Sequence, residues 1–221
     1  MSVWDIITIY KEGLFSGLLV TLGLCLIIWS SGLLFGVLFG GVAHHQKKTT
    51  GWLLKILSFL FASTPVLVLL FWLHYPLQAL LGVVIIPFIT AALALSFINI
   101  IGVAQIVRDA LDEFPEQYAI AGKVCGLAEK EIFLNIKLPI LLRQTIPQFL
   151  TLQVSMLQLT LFASLISVQE LFRVAQQINS LVYKPIEIYT ALAVFFIAIC
   201  LPLNLLAYWF KNKYTRNLSE K

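Results

Sequence analysis

Residues 56–107 read ILSFLFASTPVLVLLFWLHYPLQALLGVVIIPFITAALALSFINIIGVAQIV, 52 positions without a single Asp, Glu, Lys or Arg. A helix needs roughly 20 apolar residues to cross a hydrocarbon core of about 30 Å, so this stretch is long enough for two crossings. The break between them is predicted at His74-Tyr75-Pro76-Leu77-Gln78. There a proline that cannot donate a backbone hydrogen bond and a polar pair mark a short surface turn. Outward from that stretch, residues 13–46, 144–169 and 188–210 are also free of charge, and each holds one crossing. The reading is an all-α integral membrane protein with five transmembrane helices near 15–42, 52–73, 79–105, 146–168 and 188–210. They form a single transmembrane domain over 1–221, with the two termini on opposite sides.

Composition supports the same class. The chain is 60% hydrophobic and 12% charged, with a mean hydropathy of +0.93, against about 45–50% and about 25% for globular domains. Disorder, a secreted disulfide scaffold and a cytosolic enzyme are poor fits. Cys25 and Cys200 lie in apolar runs and Cys125 in a polar segment, so no redox pair or metal cluster is expected. The first apolar run is much longer than a signal-peptide core and has no basic segment before it. Residues 1–12 better fit a short interfacial helix with Trp4 and Tyr10 at headgroup depth.

Basic residues set the expected orientation. Residues 47–55, 108–145 and the C-terminal tail (Lys211, Lys213, Arg216, Lys221) carry 12 of the 15 Lys and Arg; Lys11, Arg173 and Lys184 lie on the other face. The positive-inside rule puts the N-terminus outside and the C-terminus in the cytoplasm. The net +4 is then a topology signal, and no nucleic-acid partner is implied.

The loop 108–145 holds eleven of the 26 charged residues and reads as two short amphipathic helices. Asp112 is placed to cap a first helix starting near Pro115 and carrying Tyr118, Ala119, Ile120, Ala121 and Val124, with a stop at Gly126. A second starts near Ala128 with Glu129 and Glu131 in its first turn, where the helix dipole favours them. It has an apolar stripe of Ile132, Phe133 and Ile136, and Pro139 is expected to end or kink it. Such a pair either lies on the bilayer or inserts into a groove of another protein. The mixed charges favour the second, since membrane-surface helices usually have a basic polar face.

No ionisable residue falls at the centre of a crossing, which counts against an ion-coupled carrier with a proton relay. His74 is expected in a surface turn, and His44 and His45 at a solvated boundary. Uncharged polar residues remain: Ser63, Thr64, Ser96, Asn99, Gln105, Gln153, Ser155, Gln158 and Thr160. Singly each suits an interhelical hydrogen bond; together they suit the lining of a polar path, with Thr64-Pro65 as a broken helix. Residues 169–187 are either a short outer helix or a plain connection.

Gly126-Leu127, Ile136, Leu138-Pro139, Arg143 and Pro147 together resemble the cytoplasmic EAA loop of ABC-importer permeases, most closely the polar-amino-acid group (histidine, glutamate, glutamine, arginine and opines). The likeness extends to Gly17–Leu22, Ser63–Val68, Ala94–Arg108 and Thr160–Leu171. Departures are Ile120-Ala121-Gly122 for the Glu-Ala-Ala triplet, Gln105 and Gly102 for a glutamate and a tyrosine, Ala62-Ser63 for Arg-Gly, and Gln158-Leu159 for Lys-Asp. The resemblance implies a permease of the bacterial cytoplasmic membrane that moves a small solute, an amino acid in that group, inward by alternating access. Implied partners are an ABC ATPase, a second permease chain, an extracytoplasmic solute-binding protein and the bilayer. The implied coupling loop is 108–145 between helices 3 and 4, with Tyr118, Ile120, Ala121, Gly122, Val124, Gly126, Leu127, Leu138 and Pro139 meeting the ATPase. Thr64, Gln105, Gln158 and Thr160 are implied at the substrate path. The chain has no G-x-x-x-x-G-K-[ST] phosphate loop, so it is not read as an enzyme; catalytic, metal and cofactor residues are expected to be none. The alternative is a channel or ion-coupled carrier working without an ATPase.

Overall fold

The computed structural model describes residues 2–215, and their regular structure is entirely helical. Arg216 and Lys221, counted above as cytoplasmic charges, lie outside the described residues. Helix α1 (Val3–Ile9) is closed by a capping box: Ser2 donates its backbone N–H to Asp5 at 2.6 Å, and the Asp5 N–H donates back to the Ser2 hydroxyl. Then follow α2 (Lys11–His45), α3 (Thr50–Ser63), α4 (Val66–Leu81), α5 (Pro87–Asp112), α6 (Glu116–Val124), α7 (Glu129–Ile166), α8 (Leu171–Val182) and α9 (Pro185–Thr215). Helices α2, α5, α7 and α9 are each long and apolar enough to cross a membrane, and α3 with α4 makes a broken fifth span.

That span bends by 97°. Pro65 removes a backbone donor and pushes Thr64 out of the helical region; Thr64 and Pro65 have ψ of 122° and 129°. The last carbonyls of α3 are taken up locally: Ser63 donates to Phe59 O at 2.8 Å and Thr64 to Leu60 O at 2.9 Å. The expected turn at His74–Gln78 is displaced. The helix is interrupted there only at Tyr75, between a segment ending at His74 and one starting at Pro76, where no N–H is needed. The chain reverses instead at Gly82, whose φ of +64° few other residues adopt, and α5 starts only at Pro87. His74, far from marking a surface turn, is half-buried with Nδ1 at 3.2 Å from the Thr90 hydroxyl, while Gln78 accepts the Ile85 N–H at 2.8 Å. These polar groups satisfy one another inside the fold, which a sequence displays as polarity alone.

Central α5 is the most buried crossing. Against it α2 presents Gly32, Gly36 and Gly40, a small-xxx-small stripe that permits close backbone approach. A methyl on Gly40 would sit 2.5 Å from Ala104 O, one on Gly36 2.6 Å from Val103 Cβ, and one on Gly32 against the Asn99 amide. Asn99 donates to Ile28 O at 2.8 Å and to Gln153 Oε1 at 3.0 Å, and the Trp29 indole donates to Gln153 O at 3.2 Å. Helices α2, α5 and α7 are thereby pinned around a core of Leu24, Ile28, Leu95 and Met156. Segment 169–187 holds α8, seated on α2 and α9 by Leu171, Ala175 and Ile178.

Candidate solute groove and docking loop

The loop after α5 begins differently from expectation. Asp112 does not cap the next helix; it is the last residue of α5, and Pro115 occupies the position before α6. Its carboxylate meets His44 Nδ1 at 2.8 Å, Lys47 Nζ at 3.1 Å and Arg108 Nε at 3.5 Å. His44 and Lys47 are thus tied to α5 instead of being merely solvated. The attraction of four ionisable groups fastens the end of α2 to the base of the loop.

Helix α6 ends in a Schellman motif. Gly126 has φ +79°, its N–H donates to Lys123 O at 3.0 Å, and the Leu127 N–H donates to Gly122 O at 3.1 Å. Glu131 then accepts the Ala128 N–H at 2.8 Å to open α7. Gly122 faces inward: a methyl there would lie 3.0 Å from Ile132 and 3.1 Å from Ile136. A larger residue at this place in the triplet Ile120-Ala121-Gly122 would require those two isoleucine side chains to shift by a few tenths of an ångström. Ala119 packs inward with Phe114 and Leu141. On the outer side Ile120 is 59% and Val124 83% exposed, flanked by exposed Tyr118, Ala121 and Leu127.

Of the two expectations for Pro139, an end or a kink, the end is not observed: helix passes through Leu138 and Pro139. Residues Phe133–Lys137 form a wider π-turn, with the Leu138 N–H bonded to Phe133 O, and helix runs on without a break. Proline cannot donate and its ring crowds the carbonyl four residues back; a π-turn just before it relieves both problems. The second loop helix is consequently continuous with the crossing part of α7, and α6 joins its start through the Gly126 turn.

Above the loop, α5, α7 and α9 enclose an open groove of about 890 Å³. Helix α7 lines it with Gln144, Gln148, Thr151 and Ser155, a polar row at steps of three and four residues that follows one helix face. Asp109 comes from α5 and Glu113 from the residue that caps its end, and Asn204, Tyr208 and Lys211 come from α9. Of the four residues assigned to the substrate path, Gln105 and Gln158 are exposed and extend these rows, one turn beyond Asp109 and Ser155. Thr64 is half-buried at the α3–α4 break, its hydroxyl engaged by Leu60. Thr160 is fully buried and donates to Leu157 O at 2.7 Å. Asn99 and Gln153 are likewise closed inside the helix packing. The groove residues Gln144, Gln148, Thr151, Asn204 and Asp109 went unnoticed in the sequence. The signal was present as the repeat 144-148-151-155-158, a polar stripe in an apolar helix. Among the described residues no group of His, Cys, Asp and Glu could hold a metal ion.

Residues 32–216 match the family described as "Binding-protein-dependent transport system inner membrane component". The chain belongs to that family. This inner membrane component is 27% identical over 189 residues to the glutamine transport system permease protein GlnP of Escherichia coli K12, covering 82% of this chain and 86% of that one. It is 25% identical over 220 residues to the L-cystine transport system permease protein TcyB of Bacillus subtilis, covering 99% and 91%. A solved amino acid ABC transporter with histidines superposes with a TM-score of 0.83 at 21% identity, covering 96% of this chain and 99% of that one. The component is therefore a multi-pass bacterial inner-membrane permease subunit of an ABC importer, and transport is its role.

Proposed function

We propose that the permease moves an amino acid into the cytoplasm, with ATP hydrolysed by a separate ABC ATPase that docks on α6. The observation that carries the reading is the exposed apolar pair Ile120 and Val124 on α6, a helix joined to α7 by the tight turn at Gly126. An exposed apolar helix face is suited to a partner's groove, and burying one such side chain contributes about 1.5–3 kcal/mol. Tyr118, Ala121 and Leu127 border that face, Gly122 and Gly126 shape it, and Leu138 and Pro139 carry the stroke into α7. The groove is open on one side, so a second permease chain, identical or homologous, is needed to close a pathway. The amino-acid assignment draws on the relatives, named for glutamine and L-cystine. A solute-binding protein delivering to the outer face fits the family's description. The domain is read as one unit over 1–221, with the N-terminus outside and the loop and C-terminus in the cytoplasm.

Cys125 gives a direct test, because it is exposed at the loop while Cys25 and Cys200 are buried. A membrane-impermeant maleimide should label it in inside-out vesicles and leave it unlabelled in spheroplasts. Co-purification of an ATPase in mild detergent, and uptake that requires ATP, complete the test. Labelling from outside, or ATP-independent uptake, would overturn the reading.

A further inference from the structure

Polar side chains run the length of the groove among apolar ones such as Ile106 and Leu152, yet its charges are confined to one end. Gln148 lies midway along the 38-residue apolar helix Glu129–Ile166, and Thr151 and Ser155 lie about one and two turns farther from the loop. Amides and hydroxyls, which donate and accept alike, are the polar groups there. Gln105 and Gln158, exposed one turn beyond that lining on α5 and α7, carry amides as well. Asp109 and Glu113 stand at the loop end of α5, and Lys211 at the matching end of α9. At about 1.5 Å per residue, Glu113 is some 12 Å along the axis from Gln105.

We infer that this groove selects amino acids whose side chains carry no net charge and can hydrogen-bond, and disfavours cationic and anionic ones. The inference rests on the permease reading above. A charged side chain at membrane depth loses its hydration and needs an opposite charge to replace it; the wall formed by Gln148, Thr151 and Ser155 supplies none. An uncharged amide or hydroxyl side chain finds both donors and acceptors there. The ammonium and carboxylate of the amino acid sum to zero, and at the loop end they meet carboxylates at the end of α5 and an ammonium on α9 as the solute leaves.

The test uses the permease–ATPase complex in nanodiscs without the solute-binding protein, whose own selectivity would mask that of the groove. Binding of radiolabelled L-glutamine, L-arginine and L-glutamate is measured by equilibrium dialysis. Glutamine binding at least tenfold tighter than either charged amino acid is expected. Thr151→Asp, and independently Ser155→Asp, should shift the arginine-to-glutamine preference at least tenfold toward arginine. Arginine or glutamate binding as tightly as glutamine in the unaltered complex overturns the inference. So does the absence of all three from a complex that still takes up one of them with ATP and the binding protein, which leaves the permease reading standing. Absence of ATP-dependent uptake for every amino acid instead overturns that reading, and the inference with it.

Discussion

Asn99 and Gln153 exchange two hydrogen bonds across α5 and α7, 3.0 and 3.3 Å long, and both are buried. Interhelical hydrogen bonds in membranes average only about 0.6 kcal/mol, but leaving one buried partner unsatisfied costs about 1–3 kcal/mol. Gln153→Leu should therefore lower thermal stability in detergent measurably. Adding Asn99→Leu should recover part of the loss, because fewer polar groups are then orphaned. Strict additivity of the two substitutions would show that the pair does not act as a unit.

The glycines of α2 divide into two groups that make opposite predictions. Gly40→Ala places its methyl 2.5 Å from a backbone oxygen that cannot rotate away, and Gly36→Ala meets Val103. Overpacking of this kind typically costs about 1–3 kcal/mol. At Gly23 and Gly41 an added Cβ meets nothing within 4 Å, so alanine there should be neutral or slightly stabilising through its better helix propensity. Thermal melting of the four purified variants separates the groups. Equal behaviour would remove the role given to the stripe.

Crossings were readable because lipid cannot satisfy a backbone polar group, so a charge-free run of sufficient length must become helix. The close of α6 was readable at Gly126 because its left-handed turn needs glycine. What the sequence hid depends on contacts between distant residues. His74 and Gln78 look like a surface turn until Thr90 and the Ile85 N–H are brought to them. Pro139 looks like a stop until the π-turn before it absorbs the clash. The groove was hidden in the same way: Gln105 and Gln158 lie exposed one turn beyond its lining, and the Thr160 hydroxyl donates within its own helix.

Glu170 makes stability depend on pH. Fully buried, it caps α8 by accepting the Phe172 N–H at 2.9 Å and the Arg173 N–H at 2.7 Å. Burial pushes its carboxyl up to about 7 from the usual 4.5, with the two hydrogen bonds opposing. The folded state thus binds more protons than the unfolded one between those values, and stability falls as pH rises through the window. The slope should not exceed about 1.4 kcal/mol per pH unit, and it should flatten above pH 7. Melting in detergent from pH 4.5 to 8 checks the direction, and Glu170→Gln should remove the slope. A rise in stability across the same window would contradict the assignment.

The docking face makes the most direct functional prediction. Val124 is 83% exposed on the outer side of α6 and contributes little to the fold, so Val124→Asp and Ala121→Asp should insert and melt like the unaltered protein. A charge on a face that is buried by the ATPase is left without a partner, so ATPase co-purification and ATP-driven uptake should fall at least tenfold. Gly126→Pro acts through the backbone instead. Proline cannot reach φ +79°, and it lacks the N–H that Gly126 donates to Lys123. It should abolish uptake by misdirecting α6 while the crossings stay intact. Gly126→Ala, which keeps that N–H, costs only about 1–2 kcal/mol of left-handed strain and should retain partial uptake. If the two aspartate variants transport normally, α6 rests on something other than the subunit that supplies the energy.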